Sequence, residues 1–339
     1  MFKRSISLLF VLCLLNPMLA EASGKNSKKK KKKAGPAVTE RLTATQLNDK
    51  VKARGALLID VMTGAVLFQR NADQPFAPAS TTKLMTALVA YEKTGFRGSV
   101  TIIADDTRVE PSHVPLVPGE VIPIKDLACS VLIGSDNDSA LALARASGGS
   151  YGNFIRLMNE RASELGCQKT QFINPNGLPA PGQYTTARDL HKIFKKTISY
   201  PVLRQIASTK ICYFPSVRSK TISNHNKLLG KYPGMGAAKT GWTHSSRHTY
   251  AASVIRNERE LHLILLNSPN KWLDARYLLD YGFQNLPGTV RPPSPGPQES
   301  SATPTTAPIA VPPAAPRIAP VPTVVIPLPP PSPATPAAY

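Results

Sequence analysis

The chain has 339 residues, 42% of them hydrophobic, and a formal net charge of +20. That length holds one large domain or two modest ones, and four cysteines are too few for a disulfide scaffold. The basic balance suits anionic envelope polymers or a membrane surface; nucleic acid is set aside, because no helix-turn-helix or RNA-binding pattern accompanies the charge.

Lys3 and Arg4 precede an apolar stretch from Ile6 to Leu15, and Ala20-Glu21-Ala22 offers a small-x-small cleavage site. Residues 1–22 therefore read as a secretory signal, with an uncleaved anchor as the lesser alternative; the apolar run is short for a membrane span. Export would place the protein in the periplasm or cell envelope. Residues 23–37 form a lysine-rich arm expected to be disordered. Its run Lys28–Lys33 is a candidate electrostatic contact to an anionic envelope surface, against the plainer reading of a solvated charge run. Without leader, arm and tail, residues 38–286 still carry about 30 basic and 19 acidic groups, so the foldable part is basic by itself.

Ala56 to Val61 and Ala65 to Phe68 are short apolar runs separated by Met62-Thr63-Gly64, which predicts a hairpin. From Ser80 the apolar spacing becomes three and four, predicting a helix that ends at Gly95. Thr101 to Gly119 is turn and short-strand material. Ile124 to Leu132 predicts a buried helix running into Gly134-Ser135-Asp136-Asn137. Ser139 to Ala146, Tyr151 to Leu165 and Thr185 to Tyr200 are helical patterns, the first two separated by Gly148-Gly149. Strand texture returns at Lys239, with Thr249 to Ile255 and Leu261 to Leu266 joined by a turn, and Trp272 to Phe283 predicts a closing helix. Strands at both ends with helices between predict an α/β (α+β) domain over residues 38–286. Its antiparallel sheet would be built from both ends of the domain and flanked by helices, with a helical subdomain inserted. Residues 287–339 hold 18 of the 33 prolines and predict an extended, disordered tail, either a wall-threading spacer or a featureless linker.

Removal of the signal leaves Cys129, Cys167 and Cys212, so at most one internal pair can form, and the sequence does not say which. Cys129 lies in the apolar run Leu127 to Ile133 and reads as a buried, inert thiol.

Three strings carry the chemistry. Ser-x-x-Lys occurs at Ser27/Lys30, Ser80/Lys83 and Ser268/Lys271, but only Ser80 opens a long amphipathic helix. There, residues i and i+3 share a face, and the helix start offers N–H groups to a developing negative charge. A serine hydroxyl needs a base, and Lys83 qualifies only if burial and a second cation lower its pKa well below ~10.4. Lys239 in Lys239-Thr240-Gly241 would be that cation, and Ser135-Asp136-Asn137 adds a hydroxyl beside an amide. Plain alternatives exist for each: an N-cap serine, a Ser-Asp-Asn turn, an ordinary Thr-Gly.

The ordered set resembles the signature of penicillin-binding proteins and class A β-lactamases. Asn174-Pro175-Asn176-Gly177-Leu178, Tyr184 to Leu190, Asn224 to Leu229 and Leu278 to Phe283 extend the resemblance over about residues 40–286 to the serine D-alanyl-D-alanine carboxypeptidases, the low-molecular-mass penicillin-binding proteins. The resemblance implies a β-lactamase/penicillin-binding fold, removal of the terminal D-alanine from peptidoglycan stem peptides, and covalent inhibition by β-lactams. It also implies roles: Ser80 as nucleophile, Lys83 as its base, Ser135 as proton relay, and Asn137 as a substrate-backbone contact. Lys239 and Thr240 would hold the carboxylate, and Gly241 would admit the substrate backbone. The N–H groups of Ser80 and Trp242 would form the oxyanion hole. No cofactor or metal is implied; a zinc reading of His244 and His248 lacks a third ligand. Two departures stand out. Where the family shows Ala-Gly after Lys-Thr-Gly-x-Thr, this chain has Ser246-Arg247, so Arg247 is a candidate for carboxylate binding or substrate narrowing. The proline-rich tail also follows where many relatives carry a β-rich domain and an amphipathic anchor. Competing readings are a D,D-endopeptidase on cross-links, a class A-like β-lactamase with Glu164 as deacylation base, and an inactive envelope-binding scaffold.

Overall fold

A computed structural model describes residues 42–214, 217 and 220–286. The expected leader (1–22), lysine-rich arm (23–37) and proline-rich tail (287–339) lie outside the described residues. The helices are α1 (Ala44–Lys50), α2 (Lys83–Thr94), α3 (Ala104–Thr107), α4 (Ile124–Cys129), α5 (Asn137–Gly148), α6 (Tyr151–Glu164), α7 (Ala187–Ser199), α8 (Pro201–Ser208) and α9 (Lys271–Gln284). The strands are β1 (Gly55–Asp60), β2 (Val66–Arg70), β3 (Ser99–Thr101), β4 (Val121–Pro123), β5 (Ile211–Phe214), β6 (Lys220–Ser223), β7 (Met235–Thr243), β8 (Arg247–Arg256) and β9 (Arg259–Ser268).

The main sheet runs β2-β1-β9-β8-β7, and each neighbouring pair is antiparallel. The N-terminal hairpin thus lies beside the C-terminal one, with Gly55 paired to Leu266 and Asp60 to Leu261. Every residue of β1 is buried, because both faces of the sheet are covered. Ala56 and Leu58 pack with Leu47 of α1 and Leu278 of α9 on one face. Leu57 and Ile59 pack with Leu84 of α2 and Ile193 of α7 on the other. The period of two along β1 therefore serves two cores, and the apolar run reads as continuous rather than alternating.

The helical insert is interrupted by elements that the apolar pattern left out. The helix expected over Ile124 to Leu132 stops at Cys129 and gives way to a π-helical turn, Ser130–Gly134. The helix expected to Tyr200 ends at Ser199, and α8 begins at once with Pro201 as its first residue, where the missing N–H costs nothing. β5 and β6 then form a separate antiparallel hairpin. A disulfide joins Cys129 at the end of α4 to Cys212 in β5, so the reading of Cys129 as a free thiol is corrected. Cys167 is the free cysteine among the described residues, and burial pushes its thiol up to about 12.

Candidate active site

Ser80 lies in a 3₁₀ turn, Ala79–Thr82, that leads directly into α2. The turn is held from two sides. The Thr249 hydroxyl of β8 donates to the Pro78 carbonyl at 3.0 Å, and the Thr81 hydroxyl donates to the same oxygen at 2.5 Å. Two glycines then let neighbouring chains approach the Ser80 backbone. A methyl group on Gly241 would come within 2.8 Å of the Ser80 nitrogen, and one on Gly177 within 2.0 Å of the Ala79 oxygen. The Ser80 N–H is therefore set between β7 and the Asn174–Leu178 turn.

Lys83 is fully buried, one helical turn after Ser80. Its Nζ lies 3.1 Å from Ser80 Oγ, 2.7 Å from Asn137 Oδ1 and 2.6 Å from the Asn176 carbonyl oxygen. Burial, and then the Lys239 charge, hold its pKa well below the ordinary 10.5. A neutral amine has two N–H donors and one lone pair. Asn137 and Asn176 take the donors, which leaves the lone pair facing the serine hydroxyl. The expected role of Asn137 is thereby extended. Its Oδ1 accepts from Lys83 and its Nδ2 donates to the Glu110 carbonyl at 2.8 Å, so its amide orients the base.

Ser135 follows the π-helical turn in a left-handed conformation (φ 65°, ψ 26°), which turns the chain sharply into Asp136. Asp136 is buried and accepts from Ser112 Oγ at 3.1 Å and from Ser130 Oγ at 2.7 Å. Lys239 Nζ donates to Ser135 Oγ at 2.8 Å and to the Thr240 carbonyl at 2.9 Å. Burial pushes the Lys239 pKa down to about 7; the Asp136 carboxylate opposes this and Lys271 adds to it. Two ammonium groups in one pocket favour loss of a proton from one of them.

A cleft of about 640 Å³ opens over these groups. Ser80, Ser135, Asn137, Thr240, Gly241 and Trp242 line it, and Trp242 remains 51% exposed. Lys83 and Lys239 lie buried and reach it through Ser80 and Ser135. Arg247 does not line it: the residue is exposed, at the turn between β7 and β8, with φ 54°.

Sequence reasoning gave no place in the site to four basic groups of the wall: His225, Lys227, His248 and Lys271. Lys271 Nζ lies 2.9 Å from His248 Nδ1 and 4.7 Å from the Trp272 ring centre. Its pKa is pushed down to about 8 by burial and then by Lys227. Among the described residues, no aspartate or glutamate lines the cleft. Glu164 is at the end of α6, paired with Arg161 at 2.8 Å, away from the cleft. Among the described residues, no group of three His, Cys, Asp or Glu side chains is arranged to hold a metal.

This arrangement has relatives. A family model described as peptidase S11, D-alanyl-D-alanine carboxypeptidase, matches residues 41–270. The chain belongs to that family. The D-alanyl-D-alanine carboxypeptidase DacF of Bacillus subtilis is 32% identical over 244 residues, spanning 68% of this chain and 62% of DacF. DacB2 of Mycobacterium tuberculosis is 33% identical over 236 residues, spanning 67% of this chain and 81% of the relative. A crystal structure of a D-alanyl-D-alanine carboxypeptidase from M. tuberculosis superposes with a TM-score of 0.67 at 32% identity, covering 70% of this chain and 93% of that one. The S11 fold explains why the three motifs, far apart in sequence, converge. Ser80 and Lys83 come from the start of α2, Ser135 and Asn137 from the turn before α5, and Lys239 from β7.

Proposed function

We propose that this protein is an exported serine D,D-carboxypeptidase that removes the terminal D-alanine from peptidoglycan stem peptides. One observation carries the reading: a buried, depressed-pKa Lys83 has its donors engaged and its remaining face on Ser80 Oγ. In the reaction, Ser80 Oγ bonds to the carbonyl carbon between the last two residues and its proton passes to Lys83. The N–H groups of Ser80 and Trp242 stabilise the oxyanion. The C–N bond then breaks, and the leaving amine takes a proton through Ser135. Water hydrolyses the resulting ester by the reverse path. Lys239 and Thr240 hold the terminal carboxylate. The cationic wall, with no aspartate or glutamate among the described residues that line it, supports a substrate with a free carboxylate beside the scissile bond. The run Lys28–Lys33 is proposed, on its sequence charge alone, to contact anionic envelope surfaces.

Mass spectrometry of the purified chain with a stem pentapeptide and with penicillin tests the reading. Release of one D-alanine, a penicilloyl adduct on Ser80 and loss of both in Ser80→Ala are expected. Cleavage of cross-linked dimers without D-alanine release would establish the endopeptidase alternative, rapid penicillin turnover the β-lactamase one, and absence of any adduct the inactive scaffold.

A further inference from the structure

Ser135 is delivered by a segment that is braced from two sides. Cys129 is the last residue of α4, and the π-helical turn Ser130–Gly134 starts at the next residue and ends at Ser135. On the helical side, Ser130 Oγ donates to Asp136 and lies 2.9 Å from Ser139 Oγ of α5. On the other side is the β5–β6 hairpin. Ile222 of β6 lies so close to Gly134 that a methyl group on that glycine would meet its Cγ2 at 2.7 Å. Just after β6, the Asn224 N–H donates to the Lys210 carbonyl at 2.9 Å and the His225 N–H donates to the Ile133 carbonyl at 3.3 Å. Asn224 and His225 line the cleft, so one hairpin both backs the turn before Ser135 and leads into the cleft wall.

A two-stranded hairpin is marginal by itself, and β5 and β6 pair with no other strand among the described residues. Phe214, Val217 and Ile222 bury in the core and keep the hairpin on the domain. The disulfide from Cys212 of β5 to Cys129 adds a covalent tie at the residue where the π-helical turn begins. The left-handed backbone of Ser135 is one that a non-glycine residue holds only when its surroundings impose it. The geometry points to Cys129–Cys212 as a positioning pair for Ser135, which makes protonation of the leaving amine depend on the redox state of that pair. The inference rests on the relay role given to Ser135 above. Opening the pair is a two-electron exchange with a dithiol. A thiolate of the reagent attacks Sγ of Cys212, which is half-buried, while Cys129 is buried. The S–S bond breaks, Cys129 leaves as a thiolate and takes a proton, and the reagent's second thiol frees Cys212 as it closes its own disulfide. The apolar anchors of the hairpin remain, so the domain stays folded while the turn loosens.

The test uses the full chain carrying Cys167→Ser, which removes the free thiol among the described residues. Its kcat/KM is measured before and after dithiothreitol, with circular dichroism alongside, on two N-acyl substrates. One is a D-Ala-D-Ala peptide, whose amine must be protonated as it leaves. The other is the thioester in which mercaptoacetate replaces the last D-alanine. Thiols ionise near about 8.5, so a thiolate leaves without a proton and does not call on Ser135. Reduction is expected to lower the peptide value at least about tenfold and the thioester value no more than about threefold, and reoxidation to restore both. The Cys129→Ala/Cys212→Ala double variant should match the reduced protein and ignore dithiothreitol; if it does not fold, the reduced protein decides alone. Ser135→Ala should show the same selectivity at full size. An unchanged peptide value, equal losses on both substrates, or unfolding on reduction overturns the positioning role. Failure of the underlying reading looks different: the oxidised protein turns over neither substrate, or Ser135→Ala lowers both equally.

Discussion

Gly177→Ala probes whether the Asn174–Leu178 turn sets the nucleophile's position. Gly177 has φ +84°, so an added side chain sits in the left-handed region at a cost of about 1–2 kcal/mol. The new methyl would also lie 2.0 Å from the Ala79 oxygen, 2.5 Å from its carbonyl carbon and 3.0 Å from the Ser80 nitrogen. Ordinary contacts begin near 3.5 Å, so one of the two backbones must move by more than about 1 Å. A displacement of that size at a reacting group costs about 100-fold in rate, or about 2.7 kcal/mol of transition-state stabilisation. The assay is the second-order rate of acylation by a fluorescent penicillin, with thermal melting alongside. Gly152→Ala is the control: Gly152 is exposed in α6, nothing lies within 4 Å of its added methyl, and the change should leave the rate alone while adding up to about 1 kcal/mol of stability. If Gly177→Ala acylates within threefold of the unmodified protein and melts at the same temperature, the claim that this turn positions Ser80 is wrong.

Three further outcomes are expected. The kcat/KM profile should rise with pH as Lys83 loses its proton, below the ordinary lysine range, and fall as Lys239 loses its charge near 7; Lys239→Arg, which stays charged, should abolish the falling limb even as it lowers the rate. His191 of α7, 3.1 Å from His262 of β9, is pushed down to about 3 by burial and then by His262, so its neutral form belongs to the folded state. Stability should therefore be lost as pH falls below about 6.5, by about 2 kcal/mol at pH 5, and His191→Gln should flatten that dependence in chemical denaturation. Arg247→Gly relieves a left-handed arginine outside the cleft; the relief of about 1–2 kcal/mol less about 0.4–1 for the freer unfolded chain leaves a gain of up to about 1.6 kcal/mol, with kcat/KM on a D-Ala-D-Ala peptide within twofold. A larger kinetic change would restore Arg247 to a role in substrate recognition.

Local patterns were legible wherever one residue's periodicity decides the outcome. The hairpin around Met62-Thr63-Gly64, the Gly95 stop of α2 and the helix over α9 follow from spacing and turn chemistry. The pairing of β1 with β9 was legible only as an order of strands around helices. α8 was not legible, because eight residues starting at a proline look like a continuation of the preceding turn. Cys129 looked like a core residue because its neighbours are apolar; its partner is 83 residues away, a distance that no local window spans. In the site, Ser80, Lys83, Ser135 and Lys239 were readable because their types are chemically demanding. Asn176 was hidden because it acts through its backbone oxygen, which every residue possesses. Lys271 was dismissed as part of a chance Ser-x-x-Lys match, yet α9 begins where β9 ends, and that junction delivers it to the cleft beside His248.

The central position of β9 has a consequence for timing. β1 cannot complete its inner edge until a partner more than 200 residues downstream has been made, and β8, which anchors the Ser80 turn through Thr249, is joined to β1 only through that partner. Non-local closure of this kind is slow, and the sheet stays incomplete until the last strand arrives. A chain emerging from the ribosome thus carries its nucleophile early but in an unassembled state. Catalytic competence switches on late and as a whole, when the final hairpin slots into the gap.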